Sequence, residues 1–153
     1  MPDITLTPVI KPDSNKLDEA YEVDHDYQAR VMNTTIWVPQ YFQFDGASIP
    51  MAAWQIIGTP FNPKFMRPAV VHDWLYHTHQ VDMDDANEIF YRLLKSNDVN
   101  PVKATLMYEA VKVGGAWYWD NDDEDKKYLK RLARKLKDAG KDIARYHFPA
   151  DGS

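Results

Sequence analysis

One stretch of the chain sets an imidazole, a carboxylate and a phenol within five residues: Val70-Val71-His72-Asp73-Trp74-Leu75-Tyr76. On a helix, residues 72 and 76 are one turn apart and 73 and 76 are neighbours, so the three groups share an edge. The flanking Ala69, Val70, Val71, Trp74 and Leu75 are apolar. A His–Asp pair in such a run is expected to leave water. There every polar group needs a hydrogen bond, and a carboxylate needs a charge partner or a metal. Two readings follow. In one, the cluster is a satisfied polar network that ties helices together. In the other, His72 is a general base beside Asp73 as a metal-binding carboxylate, with Tyr76 in the same site.

A second segment, Phe44-Asp45-Gly46-Ala47-Ser48-Ile49-Pro50, offers a different chemistry. Asp-Gly makes a turn that tolerates positive φ, and the small residues after it let backbone approach a ligand closely. Asp45 is a candidate base or ligand. Gly46, Ala47 and Ser48 are a candidate cradle for an anion or a carbonyl oxygen. The plainer alternative is a sheet-to-helix turn capped by Ser48. Ser48 lacks the G-x-S-x-G setting of a nucleophile elbow. Neither a P-loop nor a G-x-G-x-x-G run is present. His77 and His79 have no third ligand at a metal-site spacing and read as surface residues. His25-Asp26 and His147 stand out for nothing.

These residues need a scaffold, and the rest of the chain describes one. Thr7 with Leu6 and Ile4, then Tyr21-Glu22-Val23, then Thr34-Thr35-Ile36-Trp37-Val38, read as strands punctuated by Pro8, Pro12 and Pro39. They predict a small, mostly antiparallel sheet. After Pro50 the spacing turns helical. A short piece spans 51–57. A longer helix follows Asn62-Pro63, with Pro68 either marking a later start near Arg67 or kinking it. The next helix starts near Asp82, with the apolar stripe Ala86, Ile89, Phe90, Leu93 and Leu94. Asn100-Pro101 opens another, with Leu106, Met107, Ala110 and Val111 expected inside. The final helix is acidic at Asp122-Asp123-Glu124-Asp125 and basic from Lys130 on, as the helix dipole favours. Its packed stripe is read as Leu129, Leu132, Ala133, Leu136 and Ile143. The expected fold class is α+β: a small N-terminal sheet, then a helical half centred on two antiparallel helices, about 64–77 and 83–97. The expected organisation is one α+β domain over 1–120, an appended amphipathic helix over 121–146 and a tail over 147–153.

Composition narrows the function. The chain has 153 residues, of which 44% are hydrophobic, enough for one domain with a real core. Its formal net charge is 18 − 23 = −5, which argues against charge-driven nucleic-acid binding. With no cysteine, disulfides and thiolate metal sites are excluded. Met1-Pro2-Asp3-Ile4 shows no secretion signal, and no run approaches the ~20 apolar residues of a membrane span. The 5 Trp, 9 Tyr and 6 Phe fit either a ring-rich core or a surface that docks on other subunits.

Taken together the two segments resemble an uncharacterised family of phage and prophage proteins. Its marks are V-P-x-x-F-x-x-D-G-A-S-I-P, met here from Val38-Pro39 through Phe42 to Pro50, and H-D-x-x-Y, met at His72 to Tyr76. The family's later A-D-x-x-F and L-M-Y-x-A-V stand here as Ala86-Asn87-Glu88-Ile89-Phe90 and Leu106-Met107-Tyr108-Glu109-Ala110-Val111. The resemblance spans about residues 20 to 118 and implies a phage origin. A looser likeness is to calcium-dependent secreted phospholipases, including the one in parvovirus capsids. Carried over, it makes His72 the base that activates water, Asp73 a calcium ligand and residue 87 the group that orients the imidazole. Here that group is Asn87, an amide where those enzymes have a carboxylate, and Asp84 or Asp85 could substitute. Their glycine-rich calcium loop and their disulfides have no counterpart. The resulting expectations are three. The first is a virion component of tail, baseplate or neck, made in the host cytoplasm, carried on the particle and contacting other phage structural proteins or further copies of itself. The second is a metal-assisted hydrolase of lipid or cell wall, with Ca2+ as the implied cofactor. The third is a small binding protein used in host takeover.

Overall fold

A computed structural model describes residues 6–9, 20–44, 63–120 and 123–149. The N-terminal part is built of short antiparallel strands, as expected, but in two sheets. β1 (Leu6–Val9), β2 (Ala20–Val23) and β5 (Gln43–Phe44) form one, with β2 in the middle. β3 (Tyr27–Val31) and β4 (Thr34–Val38) form a hairpin of their own, in register from Val31↔Thr34 to Tyr27↔Val38. Only two residues, Met32 and Asn33, join these strands, and both have positive φ, 53° and 57°. That is the mirror-image turn whose twist matches a two-residue hairpin. Asn suits it and Met does not, so the turn carries no Asn-Gly signal and β3 was not expected. Alternation is clean once the register is set. Tyr27, Ala29, Ile36 and Val38 point into the core, while Gln28 and Arg30 face water.

The helical half begins with α1 (Pro63–Thr78), which continues through Pro68. The ring costs the helix its bond to the residue 64 carbonyl, yet flanking Phe65, Ala69, Val70, Val71, Trp74 and Leu75 are buried. Their burial outweighs one missing bond. His79 takes the left-handed conformation (φ 55°) and returns its N–H to the Leu75 carbonyl, which closes the helix. α2 (Met83–Ser96) starts at Asp82, whose carboxylate accepts the Asp85 N–H at 2.8 Å. Tyr76 and His72 meet Asn87 and Phe90, and Arg67 meets Asn97, so α1 and α2 are antiparallel.

α3 (Pro101–Gly114) is capped by Asn100 with Pro101 in the first turn. It buries Ala104, Met107 and Val111. Leu106, expected inside, is 49% exposed. Its direction on the helix is shared with Val102 and Val113, not with Met107. Trp117-Tyr118-Trp119 belongs to a short helix, α4 (Ala116–Trp119).

α5 (Asp123–Asp138) stops well before residue 146. Gly140 (φ 81°) turns the chain, with its N–H on the Lys137 carbonyl and the Lys141 N–H on the Leu136 carbonyl. This is a Schellman ending. Ile143 therefore lies in a separate 3-10 turn (Ile143–Tyr146), not on the α5 stripe of Leu129, Leu132 and Leu136.

That C-terminal segment closes over the strands. The Gln43 N–H donates to the Tyr128 hydroxyl at 2.8 Å, Tyr146 is fully buried, and Phe148 packs edge-on against Trp74. Its polar anchor is Asp26, which the sequence did not single out. One Asp26 oxygen accepts the Gln40 N–H at 2.8 Å and Lys141 Nζ at 2.9 Å. The other accepts the Tyr146 hydroxyl at 2.5 Å and lies 3.5 Å from Arg145. Burial pushes this carboxyl up. The bonds from Gln40, Tyr146 and Lys141, with the Lys141 charge, outweigh it and hold the group below its ordinary range.

Asp26→Asn should cost about 1–3 kcal/mol of stability, the range for a hydrogen-bonded buried partner. Hydrogen exchange should show residues 123–149 opening before α1 and α2. Because the folded carboxyl titrates lower than the unfolded one, its contribution is present above pH 3.8 and lost as pH falls further. Uniform loss of protection across the chain would contradict this anchoring role.

Candidate functional site

The α1–α2 pair exists as a packed unit because each helix turns an apolar stripe inward. At one level that stripe is interrupted on both sides. His72 and Tyr76, one turn apart on α1, face Asn87, in the second turn of α2. All three are buried. His72 Nε2 lies 2.8 Å from Asn87 Oδ1, and the Tyr76 hydroxyl donates to the same oxygen at 2.8 Å. The imidazole is also sandwiched by rings: its centroid is 4.3 Å from that of Tyr76 and 4.9 Å from that of Phe90.

A carbonyl oxygen only accepts, so this network assigns the hydrogen to Nε2 and leaves Nδ1 as the accepting nitrogen. Burial penalises the charged ring and pulls its pKa down to about 4. The Asn87 bond opposes this only in part. At neutral pH His72 is therefore an uncharged imidazole in a defined tautomer. Burial also raises Tyr76, to about 12, with the Asn87 bond acting the other way and the Asp84 charge adding to the rise. Tyr76 is therefore a permanent donor. The arrangement holds a neutral imidazole in one orientation, which is the state from which an imidazole base acts.

The structure thus unites three of the expected site residues: His72, Tyr76 and Asn87. Asp73 is buried too, at 4% exposure, a quarter-turn round α1 from His72, and it is engaged in interactions of its own. Asp84 and Asp85 lie in the first turn of α2; the Asp85 backbone N–H donates to the Asp82 cap, and the imidazole bonds to Asn87. Asp45, Gly46, Ala47 and Ser48, with the short helix expected over 51–57, lie outside the described residues. Among the described residues no group of three or more His, Asp or Glu side chains could hold a metal ion.

Two histidines expected at the surface are half-buried instead. His77 packs edge-on to Phe42, 5.7 Å between centroids, and near Tyr128. His79 stacks flat on Trp119 at 3.9 Å, with Nε2 2.6 Å from the Trp119 carbonyl oxygen. Trp119 also meets the Tyr76 ring edge-on at 5.0 Å, so it walls the site from the α4 side. Trp119 lies 40 residues from His79, and no spacing rule connects them.

A family model described as "Protein of unknown function (DUF1353)" matches residues 20–111, and the chain belongs to that family. Two proteins of Sinorhizobium fredii (strain NBRC 101917 / NGR234) are similar. "Uncharacterized protein y4jT" is 35% identical over 96 residues, which is 62% of this chain and 29% of that protein. "Uncharacterized protein y4iH" is 32% identical over 71 residues, 46% of this chain and 30% of that protein. The matched part thus spans under a third of these curated relatives. No solved structure matches. Among the described residues no helix is long and apolar enough to cross a membrane.

The low pKa of His72 has a consequence for stability. In the unfolded chain the ring titrates near 6.5, in the folded one near 4, so the unfolded state binds more protons between these values. Stability is full above pH 6.5 and falls as pH drops toward 4, by on the order of 3 kcal/mol. Urea unfolding from pH 7 to 4.5 should show this slope in the wild type and a markedly flatter one in His72→Gln. Equal slopes would contradict it.

Proposed function

We propose that this DUF1353 chain is a hydrolase in which the neutral His72 imidazole takes the proton of an attacking water. The supporting observation is the shared oxygen of Asn87, which accepts the Nε2–H of a neutral imidazole and fixes the ring's orientation. Tyr76, always protonated, keeps that oxygen in place. The attacking water loses its proton to His72, and the same proton goes on to the leaving oxygen as the scissile bond breaks. Asn87 supplies less stabilisation to the imidazolium than a carboxylate would, so His72 is a weak base and turnover is slow. A lipid ester is the substrate class we favour, from the resemblance of the H-D-x-x-Y helix to phospholipases; cell-wall bonds are the alternative. Asp73 is the side chain that would contribute to a calcium site, but no step above runs through a metal.

A second reading, a component of a phage particle, rests on the outer face of α3. Val102, Leu106 and Val113 lie along one stripe at 67%, 49% and 82% exposure. Exposed apolar residues that share one helix face are a feature of contact surfaces. The subunit that covers it would present an apolar face of its own. The two readings are compatible, and particle proteomics addresses the second: stoichiometric presence supports it and absence removes it.

The hydrolase reading is tested on phospholipid vesicles and on purified peptidoglycan, each with and without added Ca2+. Wild-type protein should release product from one of them. His72→Ala should lower the rate by at least roughly 10²-fold, the usual share of a general base. Asn87→Asp should raise it at neutral pH by roughly tenfold, because a carboxylate lifts the base toward the working pH. Activity indifferent to His72, or no activity from either the wild type or Asn87→Asp, would overturn the proposal.

A further inference from the structure

Gly115 closes α3 in an ordinary right-handed conformation (φ −68°, ψ −23°), with its N–H on the Val111 carbonyl at 2.8 Å. Nothing in its backbone calls for glycine. Its surroundings do. A Cβ at this position would lie 2.5 Å from the Tyr76 hydroxyl oxygen and 3.2 Å from Tyr76 Cζ. It would also lie 2.5 Å from the Val111 carbonyl oxygen. The Tyr76 hydroxyl has no easy retreat. Its ring is held by the Trp119 indole on one side and the His72 imidazole on another, and its proton is committed to Asn87.

We propose that Gly115 is a positioning residue of the site: the missing side chain at the end of α3 is the notch that lets the Tyr76 hydroxyl seat on Asn87, and through Asn87 sets His72. The inference takes its meaning from the reading of His72 as a base. A methyl group at 115 displaces either the hydroxyl or the end of α3. Displacing the hydroxyl leaves Asn87 Oδ1 with one donor, free to rotate, and the imidazole with a looser anchor. The path runs from α3 through α1 to α2, so one glycine couples three helices at one oxygen.

The test is a double-mutant cycle on the whole chain, read by melting temperature and by the 15N resonances of the His72 ring. Gly115→Ala should lower the melting temperature by roughly 5 °C, in line with overpacking in a domain of this size. It should also shift the His72 resonances in the direction that Tyr76→Phe does. In the Tyr76→Phe background, where the clashing oxygen is gone, adding Gly115→Ala should cost less than half as much and leave His72 unmoved. An equal cost in both backgrounds would assign the glycine to the Val111 carbonyl and overturn the proposal, as would unchanged His72 resonances in Gly115→Ala alone. If that single variant does not fold, a folded double variant supports the proposal and an unfolded one overturns it. None of these readouts needs turnover, so a failure here is distinct from a failure to find hydrolysis.

Discussion

A single amide oxygen, Oδ1 of Asn87, governs how the two central helices meet. An unmet buried donor costs about 1–3 kcal/mol, and here there are two, the Nε2–H of His72 and the hydroxyl of Tyr76. Both find the same acceptor. Sliding α1 along α2 by a turn would strand both at once, whereas apolar residues alone would tolerate a slip with modest loss. The polar contact therefore sets the register, and the apolar stripes supply most of the burial free energy. The same constraint sets the electrostatics. Burial keeps the imidazole neutral and the phenol protonated.

The other polar anchor works differently. Asp26 carries a charge, sits nearer the surface and gathers Lys141, Arg145 and Tyr146 from the end of the chain. It ties the C-terminal segment to the strands, while Asn87 ties helix to helix. Between the two lies one continuous apolar core, running from Val23 and Ile36 through Trp74 and Phe90 to Leu132 and Tyr146. Gly115 and Trp119 reach the Asn87 network from the end of α3 and from α4, so the site depends on segments far apart in sequence.

How much of this was legible beforehand follows from the range of each interaction. The helices of 83–96, 101–114 and 123–138 are readable from periodicity and local signals, because Asp82, Asn100 and the acidic first turns act within a few residues. His72 and Tyr76 were readable as a pair for the same reason, and Asn87 was reached only through the phospholipase likeness. The hairpin turn at Met32-Asn33 was not readable, since a left-handed Met is held by the pairing on either side and leaves no local mark. Leu106 was placed inside because an apolar residue in a helix is usually so, and the stripe it joins faces outward. His79 and Asp26 carry no local mark, because their partners, Trp119 and the 141–146 turn, lie 40 and more than 100 residues away.

The claim at the centre is that Asn87 holds His72 as a neutral ring with its proton on Nε2. The most direct measurement is 15N NMR of the His72 imidazole in the wild-type chain, titrated from pH 7.5 downward. The expected result is one protonated nitrogen, Nε2, one unprotonated nitrogen, Nδ1, and no charging of the ring until pH nears 4. A ring that charges near pH 6.5, or one that carries its neutral proton on Nδ1, would contradict it.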